Sequence, residues 1–204
     1  METIASTGRS SDLVVVGASA GGLQAARVLL GRLPARFALP VVLVLHRPPV
    51  RDGALVETLG RNLHLRVKEA DDQEYMQSGV VYLAPANYHV LIEQDRSFSL
   101  SVDPPVFFCR PAIDVLFESA ATAVAGVVGC ILSGANEDGV QGAAEIRRRG
   151  GTVLVQDPAT AAAPEMPAAV IAAGHVDRVM TLEDMAAFLG ELPSRPPPGR
   201  KTIR

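Results

Sequence analysis

Three side chains with the chemistry of a nucleophile, a general base and an orienting acid each follow an apolar run in this chain. Ser19 comes after Val14-Val15-Val16, inside Gly17-Ala18-Ser19-Ala20-Gly21-Gly22. His46 comes after Val41-Val42-Leu43-Val44-Leu45. Asp138 lies in Ser133-Gly134-Ala135-Asn136-Glu137-Asp138-Gly139, directly behind Gly129-Cys130-Ile131-Leu132. In open α/β sheets ligands bind beyond the carboxyl ends of the strands, so these three would share one rim. A serine, a histidine and a carboxylate gathered there are the parts of a nucleophilic triad. Each has a plainer reading alone: a turn residue, a strand-end histidine, and an N-cap for the helix after Gly139. Their coincidence at strand ends favours the catalytic one.

The turn around Ser19 reads as strand, Gly-x-Ser-x-Gly, helix. Its glycines allow backbone angles and close approaches that a Cβ would forbid. The serine would stand exposed at a strand end, with the positive end of a helix behind it. That shape serves a nucleophile or a phosphate cradle, and the turn alone does not decide. A dinucleotide site wants Gly-x-Gly-x-x-Gly and an acidic residue at the end of the second strand. This chain has Gly-x-x-x-Gly-Gly, and its second run ends in His46. No Gly-Lys-Ser or Gly-Lys-Thr follows a glycine-rich loop. The order Ser19, His46, Asp138 also differs from the Ser, acid, His order of the α/β-hydrolases.

Positioning such residues requires alternating strands and helices. Strands are expected at Leu13–Val16, Val41–Leu45, Val80–Leu83, Val127–Leu132 and Thr152–Val155. Helices are expected near 22–32, 53–61, 112–124 and 139–149. Nearly continuous Val/Leu/Ile strands between amphipathic helices imply a mostly parallel sheet covered on both faces. Tyr88–Glu93 and Ser97–Val102, around Gln94-Asp95-Arg96, read as a hairpin inserted in that pattern. Thr181-Leu182-Glu183-Asp184 reads as the cap of a last helix reaching Leu189. Residues 1–11 read as a loose N-terminus, 12–191 as one catalytic domain, and 192–204, with Pro196-Pro197-Pro198, as a flexible tail.

Composition sets outer limits. The chain has 204 residues, 48% hydrophobic and 20% charged, which suits one globular α/β domain. No apolar run approaches the roughly 20 residues that span a bilayer, and residues 1–11 lack the order of a signal peptide. A cytoplasmic protein without membrane insertion is expected. A formal charge of −3 offers no case for nucleic acid. Arg147-Arg148-Arg149 closes an expected helix, where cations offset the macrodipole. Cys109 and Cys130 are too few for a disulfide framework or zinc site, and Cys130 reads as a buried thiol.

Gly17–Gly22, His46, Val81-Tyr82-Leu83-Ala84-Pro85, Arg110-Pro111-Ala112-Ile113-Asp114-Val115-Leu116-Phe117 and Ser133–Gly139 occur in the order found in one family. From Leu13 to Leu189 the chain resembles the catalytic domain of chemotaxis receptor methylesterases of the CheB type. The resemblance implies a three-layer, doubly wound, mostly parallel sheet with an antiparallel edge hairpin. It implies hydrolysis of glutamate γ-methyl esters on receptor signalling helices, with glutamine deamidation as a companion activity, and no cofactor or metal. By motif position Ser19 takes the nucleophile's role, His46 the base's and Asp138 the orienting acid's. Backbone N–H groups around Ala20, Gly21, Ala135 and Asn136 would form the oxyanion and substrate loop. Methylated chemoreceptor cytoplasmic helices are the implied partner. A separate response regulator is another, since only about 11 residues precede the first strand, where the family often carries a receiver domain. The chain departs from the family at Gly134-Ala135-Asn136, where Gly-Met-Gly is common, at Ala20, and at Arg47-Pro48-Pro49-Val50-Arg51-Asp52. A non-catalytic adaptor that keeps the fold to bind receptors or a signalling partner is the alternative.

Overall fold

The computed structural model describes residues 11–47 and 54–193. The expected loose N-terminus, the Pro-rich tail and the Pro48-Pro49 stretch lie almost wholly outside them. Seven strands form one parallel sheet: β1 (Leu13–Ala18), β2 (Val41–Leu45), β3 (Arg66–Glu69), β4 (Val80–Leu83), β7 (Val127–Ile131), β8 (Thr152–Gln156) and β9 (Arg178–Met180). Their spatial order is β3-β4-β2-β1-β7-β8-β9. Among the described residues the α-helices are α1 (Gly22–Gly31), α2 (Ala54–Gly60), α3 (Ile113–Ala123), α4 (Val140–Arg148), α5 (Glu165–Ala172) and α6 (Leu182–Gly190).

Alternation along the strands divides the interior into two cores. Leu13 and Val15 of β1 face one core, with Ile113, Leu116 and Phe117 of α3, Ile146 of α4 and Val170 of α5. Val14, Val16 and Ala18 face the other, with Leu29 and Leu30 of α1, Leu59 of α2 and Met185 of α6. Successive strand side chains point to opposite faces, so strands apolar throughout need a cover on each. Three layers result.

Two expectations change in detail. The hairpin, β5 (His89–Ile92) and β6 (Phe98–Ser101), is antiparallel as expected, but it forms a sheet of its own and does not lengthen the edge. It packs through Val90, Ile92 and Phe98 into the α3 core, with the Phe98 and Tyr82 ring centroids 4.8 Å apart. The strands β3 and β9 and the helix α5 escaped sequence reading. Arg66-Val67-Lys68-Glu69 and Arg178-Val179-Met180 are half-exposed edge strands and carry little apolar signal. Thr181 caps α6 as expected, its Oγ1 accepting the Asp184 N–H at 3.2 Å. Arg147 and Arg148 occupy the last turn of α4, as the basic cluster suggested.

Candidate active site

β1 is central, and the chain leaves it first toward β2 and later toward β7 on its other side. This is the topological switch point, where the loops after adjacent strands diverge and open a crevice. Register decides what meets there. Ala18 pairs with Leu45, and the His46 N–H donates to the Ala18 carbonyl at 2.9 Å. Gly17 pairs with Ile131, and the Leu132 N–H donates to the Gly17 carbonyl at 2.9 Å. Ser19 therefore stands between His46 and the loop that carries Asp138.

The serine turn is anchored to that loop. The Ser19 N–H donates to the Ser133 carbonyl at 2.9 Å, and the Ser133 hydroxyl donates to the Ala20 carbonyl at 2.7 Å. Ser133 is itself fixed by Gln156 at the end of β8, whose Oε1 accepts the Ser133 N–H at 2.9 Å. Gly21 closes the turn in the left-handed region, with φ of 72°. A Cβ there would lie 2.6 Å from the Ala162 Cβ and 2.9 Å from the Ser133 Oγ, so the position requires glycine.

The imidazole and the carboxylate meet directly. His46 Nε2 is 2.8 Å from Asp138 Oδ2, and their side chains are 6% and 0% exposed. A carboxylate accepts, so Nε2 carries the proton and Nδ1 presents its lone pair. The Asn136 amide donates toward that Nδ1 at 3.4 Å, while its Oδ1 accepts the Asp138 N–H at 3.2 Å. Asn136 is not among the left-handed residues, so asparagine is tolerated there without backbone strain. Among the described residues no hydrogen bond joins the Ser19 hydroxyl to His46. The N–H groups of Ala20 and Ala135, both exposed, also have no partner among the described residues.

Asp138 does not cap the helix that follows it. Gly139, with φ of 105°, occupies that N-cap without a side-chain bond. Asp138 instead caps α3: its Oδ2 accepts the Ile113 N–H at 2.7 Å and its Oδ1 the Asp114 N–H at 2.9 Å. Asp114 returns the favour to α4, accepting from Gly139 at 2.9 Å and Gly142 at 2.7 Å. Burial first, and then the neighbouring Asp138 and Glu118 charges, push the Asp114 carboxyl up to about 7 against the two N–H donors that hold it down. Asp114, Ser133 and Gln156 were missed as site residues. Asp114 stood inside a recognised motif, but its task depends on a neighbouring helix and leaves no mark in local spacing. Cys130 is buried as expected, and burial pushes its thiol up to about 12. Among the described residues no group of three or more His, Cys, Asp or Glu could hold a metal ion.

Fold and site together define a doubly wound α/β protein with serine, histidine and aspartate converging at its switch point. The chain belongs to the CheB methylesterase family, a family of hydrolases: the model of that description matches residues 14–189. A Leptospira interrogans relative (strain Fiocruz L1-130), provisionally named a protein-glutamate methylesterase/protein-glutamine glutaminase, is 44% identical over 176 residues. That match covers 86% of this chain and 91% of the relative. The Trichodesmium erythraeum protein-glutamate methylesterase/protein-glutamine glutaminase is 40% identical over 179 residues, 86% of this chain but 51% of that protein. The chain thus spans most of the first relative and about half of the second. The crystal structure of the Thermotoga maritima CheB methylesterase catalytic domain matches with a TM-score of 0.85 at 32% identity. It is matched over 90% of this chain and 100% of that one.

Proposed function

We propose that this chain hydrolyses glutamate γ-methyl esters on the cytoplasmic signalling helices of chemoreceptors. The observation that carries the reading is the buried His46–Asp138 pair at 2.8 Å, beside a serine held at a strand end. With Nε2 committed to Asp138, Nδ1 is the nitrogen that can take a proton from Ser19. The hydroxyl oxygen then attacks the ester carbonyl, and His46 returns the proton to the departing methanol. Water, deprotonated by His46, cleaves the glutamyl ester of Ser19 and leaves a glutamate carboxylate. The Asn136 amide, which leans on Nδ1, swings aside or turns toward the substrate as the serine engages. The partnerless N–H groups of Ala20 and Ala135 are the donors we assign to the tetrahedral oxyanion. The same steps on a glutamine side chain release ammonia, in line with the glutaminase part of the relatives' names.

Among the described residues no helix is long and apolar enough to cross a membrane, and we place the enzyme in the cytoplasm, where receptor signalling helices lie. The test is methanol release from a methylated receptor cytoplasmic fragment, wild type against Ser19→Ala. Release that vanishes in the variant supports the reading. A folded wild type that neither releases methanol nor labels at Ser19 with a serine-directed phosphonate is an adaptor, and the reading falls.

A further inference from the structure

Two consecutive phenylalanines occupy positions that backbone sterics disfavour. Phe107 and Phe108 are the central pair of a turn whose flanking residues, Val106 and Cys109, exchange backbone hydrogen bonds of 3.1 and 2.8 Å. Their φ values are 46° and 61°, in the left-handed region that Asn and Gly ordinarily fill in such turns. Phe108 is 101% exposed and Phe107 47%.

The turn is built and held. The Arg110 guanidinium donates to Asn87 Oδ1 at 2.7 Å, to the Val102 carbonyl at 2.6 Å and to the Asp103 carbonyl at 3.0 Å. His89 Nδ1 accepts the Ala112 N–H at 3.2 Å, so its Nε2 donates to the Pro104 carbonyl, also at 3.2 Å. The turn also abuts the site. Cys109 Sγ is 3.9 Å from Asn136 Nδ2, which is 3.4 Å from His46 Nδ1. Strain of this kind persists only where surrounding structure imposes it, and it clusters at functional sites.

We infer that the Phe107–Phe108 turn grips the substrate helix, its two rings packing on apolar side chains that flank the esterified glutamate. The inference rests on the methylesterase reading proposed above. A γ-methyl ester is neutral and brings no charge by which to be held, so its neighbours on the helix must supply the recognition. A helix displays residues three and four positions away beside the target, within reach of two adjacent rings. Aromatic side chains supply large contact areas and dominate such interfaces.

The double variant Phe107→Asn/Phe108→Gly removes both rings and installs residues that suit left-handed angles, so the turn keeps its shape. Hydrolysis of a methylated receptor fragment is compared with that of p-nitrophenyl acetate. The expected result is a roughly tenfold or greater loss of preference for the receptor over the small ester, carried by KM and not kcat. An unchanged preference, whether both activities fall in parallel or neither moves, overturns the inference while the esterase reading stands. An unchanged preference with altered self-association assigns the rings to a second copy of the chain. A wild type without methanol release overturns both.

Discussion

Asp138 carries two burdens through one carboxylate. Its oxygens hold His46 and also satisfy the first N–H groups of α3, so the candidate site and the fold are joined at a single residue. Ser19→Ala removes only a hydroxyl whose oxygen makes no bond to His46 here. It is expected to abolish turnover by several orders of magnitude while leaving the melting temperature near wild type. Asp138→Ala is expected to lose turnover as well and to cost about 1–2 kcal/mol of stability through the lost cap, read by urea denaturation. Equal stability of the two variants would separate Asp138 from α3. Asp114 makes the matching prediction in pH. Its folded-state pKa of about 7 lies above its ordinary 3.8, chiefly through burial. The folded state thus favours the protonated form: that contribution is complete below about pH 4 and is lost as pH rises through 7. Asp114→Asn keeps an acceptor for Gly139 and Gly142 without the charge. Its melting temperature relative to wild type should climb between pH 4 and 8, and parallel curves would refute the assignment.

At the scale of elements, the site hangs on two helices that cap each other and on one glycine turn. Asp138 from the loop before α4 caps α3, and Asp114 in the first turn of α3 caps α4, so neither helix can shift alone. A carboxylate at a helix N-terminus also faces the positive end of the macrodipole. The Ser19 turn depends on Gly21, where a methyl group would press on Ala162 and Ser133. Gly21→Ala is expected to destabilise the fold by on the order of 1–3 kcal/mol from the left-handed angle and the clash, and to impair ester hydrolysis beyond that. Thermal melts and turnover on one preparation check both parts. Normal turnover would mean that Ser19 does not need this turn.

The molecule as a whole holds its site at the seam between two cores. Phe117 of α3 sits fully buried on the side of Asp138, against Gly129 of β7 and Gly142 of α4. Phe117→Ala is expected to cost roughly 3–5 kcal/mol in denaturant unfolding, with a lowered rate as the α3–α4 pair loosens. A small loss would show that the pair is fixed by its caps and not by its packing. The detached β5–β6 hairpin belongs to the same side, since the Ile92 N–H donates to the Ser119 hydroxyl of α3 at 3.2 Å.

Sequence alone determined the layered α/β architecture, because five strands are almost wholly apolar and alternate with amphipathic helices. It also singled out Ser19, His46 and Asp138 as candidates, since local chain geometry puts a polar residue after an apolar run at a strand's carboxyl end. It could not show the edge strands β3 and β9, whose half-exposed residues lack apolar periodicity. Nor could it show that the hairpin stands apart from the sheet, because strand pairing is a long-range choice. Only the tertiary structure decided that Asp138 caps α3 and not α4, that Asp114 answers it, and that Ser133 and Gln156 brace the Ser19 turn. Those bonds join residues 23 to 25 positions apart and more, through helices and strands that must already be packed before any of them can form.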